Sequence, residues 1–313
     1  MPNTPIIYSS ADVSAPALNQ TAGIAAGSLN ALLKAILVDG YGAKVAAGWT
    51  LTNTDTTTYG FLTGSGSSAS YLIVEDLGTS AKVSSAKSIV SLEPTVGTLV
   101  TTELVVRKND ATGARSWWVM ANSRYIYMFI DSGNTNSYAL SLFAGDLNSI
   151  KSADDKQFMV AASEISSTTV RCPFFINTTG ILNSTNNGIS TIIQSASTIP
   201  VAGASCALLR PFHTNNAIWP IGGGTGVIAN PNVPNDGYMF SLCCIVDDSA
   251  QPRGFLPNAY YPWHALPLAD DTVRDLGTIN IIAKSFDDIE AGSSGGEIYE
   301  SKGQIWLDFE SSF

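Results

Sequence analysis

The sequence is short of charge, of cations in particular, of histidine and of cysteine, and each shortage excludes a class of function. Charged residues make up 13% of the 313-residue chain, against roughly 25% in an average globular protein. Sixteen Lys and Arg face 26 Asp and Glu, giving a formal net charge of −10 and a pI near 4.5. A nucleic-acid binder needs a cationic patch that displaces counterions from phosphates. Here the basic residues, such as Arg107, Lys108 and Arg115, are scattered. Nucleic acid and anionic membrane surfaces are therefore not expected partners.

The four cysteines, Cys172, Cys206, Cys243 and Cys244, match no CxxC zinc or redox spacing. They read as buried structural thiols, with a bridge from Cys243 or Cys244 to Cys172 or Cys206 left open. Alternation along the apolar run 238–246 points Cys243 and Cys244 to opposite faces. The only histidines are His213 and His264. As a general base, His264 would need an oriented carboxylate, with Asp270 or Asp271 nearest in sequence, and no serine sits in GxSxG. A structural histidine is the better reading. No apolar run reaches the roughly 18–20 residues of a membrane span. The first residues lack a basic segment followed by an apolar one, so no signal peptide is expected and synthesis is cytosolic.

What replaces the charge is Ser, Thr, Asn and Gly over a 45% hydrophobic background. Such a chain can build a substantial core, and its neutral surface suits faces covered by neighbours or work outside the cell. Residues 115–146 read RSWWVMANSRYIYMFIDSGNTNSYALSLFAGD. Aromatic and β-branched runs at 117–120, 125–130 and 138–143, separated by turn formers, predict an antiparallel meander at the centre of the sheet. Paired strands are expected at 59–63 and 70–75 around a GSGSSA tip. Further strands are expected at 88–92, 99–107 and 238–246, while 158–165 and 168–175 either extend the sheet or include a short helix. A pair at 278–284 and 304–309 closes the chain. The four-proline segment 252–267 is extended, because proline denies it a helix. The fold class is mainly β, an antiparallel sandwich or barrel-like sheet.

One stretch has the helical period. Leu29, Leu32, Leu33, Ile36 and Leu37 fall on one face, predicting a single amphipathic helix at about 27–39 that lies on the sheet. Ser28 can cap it, and Gly40 and Gly42 stop it. Residues 1–16 form an extended arm with three prolines, anchored by Ile6, Ile7 and Tyr8. Residues 17–313 form one β-rich domain with an irregular, polar excursion at about 178–237. Long irregular connections are usually functional, so partners are sought on the arm and on these loops. The candidate contact residues are Ile6, Ile7, Tyr8, Asn186, Asn187, Asn215, Asn216, Trp219, Asn232 and Asn235.

Chemistry is harder to find. The pairs Asp154-Asp155, Asp247-Asp248, Asp270-Asp271 and Asp287-Asp288 lack the DxDxDG spacing of a calcium loop and read as turn formers. The glycine-rich 221–226 lacks the lysine and following helix of a phosphate loop. No catalytic, metal or cofactor residue is assigned.

The blocks PALNQTAG, LNALLKAILVDGYGAK and AAGW within 14–49 are similar to the N-terminal block of tailed-bacteriophage virion structural proteins. The resemblance continues through YLIVED (71–76), WWVM (117–120), YIYMF (125–129) and FAGD (143–146). It resumes at RGFLP (253–257), WHALPL (263–268) and IWLD (305–308). It departs at 81–92, where an arginine-bearing strand is expected and only Lys82 and Lys87 occur, and at 178–235, which has no counterpart. The resemblance implies a non-enzymatic virion component on the capsid, neck or tail. It would be made in the host cytoplasm and would contact copies of itself and other virion proteins. Two other readings stand beside it. One is a tail-tip protein that binds a host receptor or glycan through the 178–235 loops. The other is a polysaccharide hydrolase, which requires two acidic side chains facing each other in a cleft.

Overall fold

The computed structural model describes residues 4–19, 28–78, 80–98, 100, 103–108, 114–131, 138–150, 157–162, 164–166, 169–171, 206–209, 240–247, 252–262, 271–275, 279–291 and 298–311. The architecture is mainly β, with several antiparallel sheets and one helix near the N-terminus, as the periodicities predict.

The 115–146 meander is the middle of a five-stranded central sheet. Its order is Ile6–Ser9, Trp117–Ala121, Tyr125–Asp131, Tyr138–Asp146 and Phe158–Ala162. Every residue from Trp117 to Ile130 except Arg124 is buried. The physical reason is that this sheet is covered on both faces, so its strands are apolar throughout instead of alternating with polar residues. Successive side chains still point to opposite faces. Trp117, Val119, Ile126, Met128, Ile130 and Leu142 share one core with the helix and a second sheet. Trp118, Met120, Tyr125, Tyr127, Phe129 and Phe143 share another core with a third sheet. Each large apolar side chain so enclosed contributes about 1.5–3 kcal/mol.

The second sheet runs Thr50–Thr54, Thr58–Leu62, Tyr71–Asp76, Ser80–Ala86 and Leu104–Arg107. The expected hairpin around GSGSSA is present, with Leu62 opposite Tyr71. Ser80–Ala86, SAKVSSA, carries only one β-branched residue and escapes a propensity reading. It is a strand because its small side chains fit a tightly covered position: Ala81, Val83, Ser84, Ser85 and Ala86 are all buried. The single strand expected over 99–107 is shorter, at Leu104–Arg107. Thr95–Thr98 instead pairs with Ser88–Leu92 as a separate hairpin.

The helix is α over Ser28–Lys34 and widens to a π turn over Ala35–Asp39. Its five predicted apolar positions are fully buried. The first turn is capped from a distance, since Asp76 Oδ2 accepts the Leu29 N–H at 2.7 Å. At the other end Gly40, at φ 80°, donates its N–H to Ala35 O at 2.8 Å. A Cβ there would stand 2.7 Å from Lys44 O, which explains the glycine. The carbonyls left open by the helix end are taken by the next loop: Ala47 N–H donates to Ile36 O and Trp49 N–H to Leu37 O, both at 2.9 Å.

The third sheet carries Cys206–Leu209, Phe240–Asp247, Pro252–Pro262, Ile298–Asp308, Asn280–Ala291, Thr169–Arg171 and Glu164–Ser166 in spatial order. The expected closing pair is there, with Ile282 opposite Leu307. It is longer than the sequence suggests. Asp287 and Asp288 lie inside it, opposite Lys302 and Ser301, so this aspartate pair is in a strand and not a turn. Pro257 is accommodated at an irregularity, where Leu256, Pro257, Asn258 and Ala259 lie between the pairs Phe255–Cys244 and Tyr260–Leu242. That is where a sheet tolerates proline. Cys243 is a buried thiol in the core facing the central sheet.

Candidate functional site

Three buried charges are structural ties. Asp76 and Lys108 form an ion pair with both side chains fully buried. Asp76 Oδ1 accepts from Lys108 and from the Gly78 N–H at 3.3 Å, while Oδ2 caps the helix. Burial pulls the Lys108 pKa below its ordinary value, against the opposing pull of Asp76. Asp146, also fully buried, accepts the Ser68 N–H and the Ser68 hydroxyl, each at 2.6 Å, and so fastens the GSGSSA tip to the central sheet. Burial pushes its pKa up, and the Ser68 bonds pull the other way. None of these groups lines the cleft described below.

The N-terminal anchor is used by its own chain. Ile6–Ser9 is the edge strand of the central sheet, with Tyr8 opposite Val119. Tyr8 is fully buried and donates its hydroxyl to Val45 O at 2.8 Å. Ile6 packs into the core on one face and Ile7 into the core on the other. The outward edge of this strand is also occupied. Lys44 Nζ donates to Ile7 O at 2.8 Å, the Ser9 N–H donates to Asp12 Oδ2 at 2.8 Å, and Ser9 O accepts the Asp12 N–H at 3.0 Å. An edge with its groups taken does not template a partner strand. Within this chain Tyr8 is therefore a core residue, while Ile6 and Ile7 are half-buried; a contact of these residues with a partner stays a proposal. The other candidates, Asn186, Asn187, Asn215, Asn216, Trp219, Asn232 and Asn235, lie outside the described residues. So do His213, His264, Cys172 and the 221–226 glycines.

The residues presented outward are ones the sequence reading passed over. An Asp12–Lys44 ion pair at 3.4 Å joins two turns at the N-terminal corner, and beside it Val13 and Val45 are 85% and 64% exposed. The Ser88–Leu92/Thr95–Thr98 hairpin lies on the outer face of the second sheet, where Ile89 and Leu92 meet Ile73 and Ala86. Gly60 permits that approach, since a Cβ there would be 2.8 Å from Ile89 Cδ1. On the hairpin's other side Val90 and Val96 are 76% and 47% exposed. They are neighbours, because Val96 pairs with Ser91 and Val90 sits in the adjoining bulge. Valine in a polar strand carries no signal that separates core from surface.

Beside the hairpin a cleft of about 240 Å³ is lined by Glu75, Lys82, Glu93 and Glu103, among others. Lys82 Nζ is 2.8 Å from Glu75 and 3.4 Å from Glu103. The hydrogen bond to Glu75, helped by the charge of Glu103, raises the Lys82 pKa. Glu93 Oε1 accepts the Thr57 and Thr58 hydroxyls at 3.2 and 3.4 Å. Two of the three carboxylates thus share one cation, an arrangement of a surface ion network. Among the described residues no group of three or more His, Cys, Asp or Glu is placed to hold a metal ion. No helix among them is long and apolar enough to cross a membrane. No protein-family model matches the chain, and no curated protein matches it.

Proposed function

We propose that this chain is a structural, non-enzymatic subunit of a bacteriophage particle, acting through contacts with copies of itself and with other virion proteins. The observation that carries the proposal is the outward display of aliphatic side chains, Val13 and Val45 at the corner tied by Asp12 and Lys44 and Val90 beside Val96 on the hairpin, on a chain with only 13% charged residues. Single exposed apolar residues are ordinary. Exposed aliphatics on a surface hairpin and beside the Asp12–Lys44 ion pair, with charged side chains at their margins, suit an apolar centre with a polar rim. A lasting contact needs roughly 1,000 Å² or more in total, which flat β layers supply. The resemblance to virion proteins adds support. Its blocks meet in space: Asp76 of YLIVED caps the helix of LNALLKAILVDGYGAK, and Ile305 of IWLD shares a core with Tyr127 of YIYMF. The role requires no cofactor, nucleic acid or membrane.

Association should be strongest where net charge vanishes. Light scattering is expected to show oligomers or precipitation near pH 4.5. Val90→Asp with Val96→Asp is expected to raise the concentration needed for association by about tenfold or more, corresponding to about 1.4 kcal/mol. A highly soluble monomer of the unsubstituted chain at that pH would refute the assembly reading.

A further inference from the structure

The outer face of the second sheet is covered in part by the Ser88–Leu92/Thr95–Thr98 hairpin, which lies over Ile73 and Ala86. Beyond the hairpin one row of side chains crosses four strands. Thr58 stands opposite Glu75, Glu75 opposite Lys82 and Lys82 opposite Val105, and residues directly opposite in an antiparallel pair project on the same face. Val105 ends the row 43% exposed. Thr58, Glu75 and Lys82 make one wall of the cleft of about 240 Å³, and Glu93, Pro94 and Thr95 at the hairpin's turn make another.

The charges in this cleft do not balance. Glu75, Glu93 and Glu103 share it with a single ammonium, that of Lys82, which leaves a net −2. Lys82 Nζ lies 2.8 Å from Glu75 and 3.4 Å from Glu103. Glu93 pairs with no cation among the described residues. Its Oε1 accepts the Thr57 and Thr58 hydroxyls, at the long distances of 3.2 and 3.4 Å. Ile73, Leu92 and Pro94 give the same cleft an apolar surface.

We propose that the cleft receives an arginine side chain presented by a partner virion protein. The stem lies on Ile73, Leu92 and Pro94, since long cationic side chains cover apolar surface while the head stays among polar groups. The guanidinium meets Glu93 and Glu103, offering N–H donors in a planar fork that suits carboxylates. The volume exceeds the roughly 30 Å³ share of a single water, and no three acidic groups among the described residues are placed to hold a metal ion. A second copy of this chain is a poor donor, because a net charge of −10 opposes its approach to an acidic face. The partner is therefore a different protein with a basic contact surface. That it belongs to a virion rests on the assembly reading; that the cleft binds arginine does not.

The test is an NMR titration of the isotope-labelled full chain at neutral pH with acetyl-arginine amide, and with acetyl-citrulline amide as its uncharged isostere. The arginine probe is expected to shift the amides of Thr58, Ser84 and Thr95 in a saturable way, and the citrulline probe is not. Glu93→Gln with Glu103→Gln should weaken arginine binding about tenfold or more while the rest of the spectrum stays that of the folded chain. An equal response to citrulline, arginine shifts that avoid the cleft, or unchanged affinity in the folded double variant would overturn the inference. Self-association abolished by the same double variant would assign the cleft to a second copy, and would overturn it too. The two readings fail separately: a chain absent from particles still binds the probe if the cleft is an arginine site, and a chain present in particles ignores it if the cleft is not.

Discussion

Asp76→Ala is expected to lower the unfolding free energy by about 3–5 kcal/mol, the range for breaking one side of a buried ion pair. The loss is large because one carboxylate serves three groups at once. Removing it leaves the Lys108 amine buried without its anion and deprives the Leu29 and Gly78 N–H groups of their acceptor. Lys108→Met should cost less, since Asp76 keeps two N–H donors after the amine is gone. Asp76→Asn with Lys108→Met should recover part of the loss of Asp76→Ala, because the amide oxygen still caps the helix and no charge is buried. Urea denaturation midpoints of the four proteins, at constant slope, test this ordering. Equal stability of Asp76→Ala and the unsubstituted chain would show that the helix is not held by this residue.

Gly145→Ala should be nearly as damaging, for a steric reason. Gly145 stands directly opposite Tyr125 in the central sheet. A Cβ there would lie 2.3 Å from Tyr125 Cβ, 2.5 Å from its Cα and 2.7 Å from Arg124 O. These are backbone and near-backbone atoms that cannot swing aside as a side-chain tip can, so the two strands must part. Overpacking of this kind costs about 1–3 kcal/mol and occasionally more, and the upper end is expected in a sheet covered on both faces. Gly66→Ala is the control. A Cβ at Gly66 meets nothing within 4 Å, but its φ of +82° is unfavourable to alanine, so only about 1–2 kcal/mol should be lost. Thermal or urea unfolding of the two variants should separate them clearly. Equal losses would mean that backbone conformation, and not the Tyr125 contact, sets the requirement for glycine.

Local signals made much of this architecture readable. The helix shows itself in Leu29, Leu32, Leu33, Ile36 and Leu37, and the central strands in uninterrupted apolar runs such as Tyr125 to Ile130. The closing pair shows in the apolar runs at 278–284 and 304–309, but its extension to 291 and 298 does not. What stayed hidden depends on partners distant in sequence. The helix cap comes from Asp76, 47 positions away from the N–H it accepts, where Ser28 is the local choice. Asp287 and Asp288 sit in a strand because their neighbours across the ladder hold it there, against the turn preference of aspartate. Ile6, Ile7 and Tyr8 read only as the anchor of an extended arm, because their pairing with Met120 and Val119 joins residues more than a hundred positions apart. The outward valines gave no signal, since Val13 and Val45 lie outside the strands and Val90 sits in a bulge that breaks the alternation.

The claim that matters most is membership of a virion. Density-purified particles should be digested and analysed by mass spectrometry, and intact ones imaged with a label on this chain. The chain is expected in purified particles at a fixed ratio to the other virion proteins, with the label at repeated, symmetric positions on head, neck or tail. Particles that are infectious and free of the chain would contradict it.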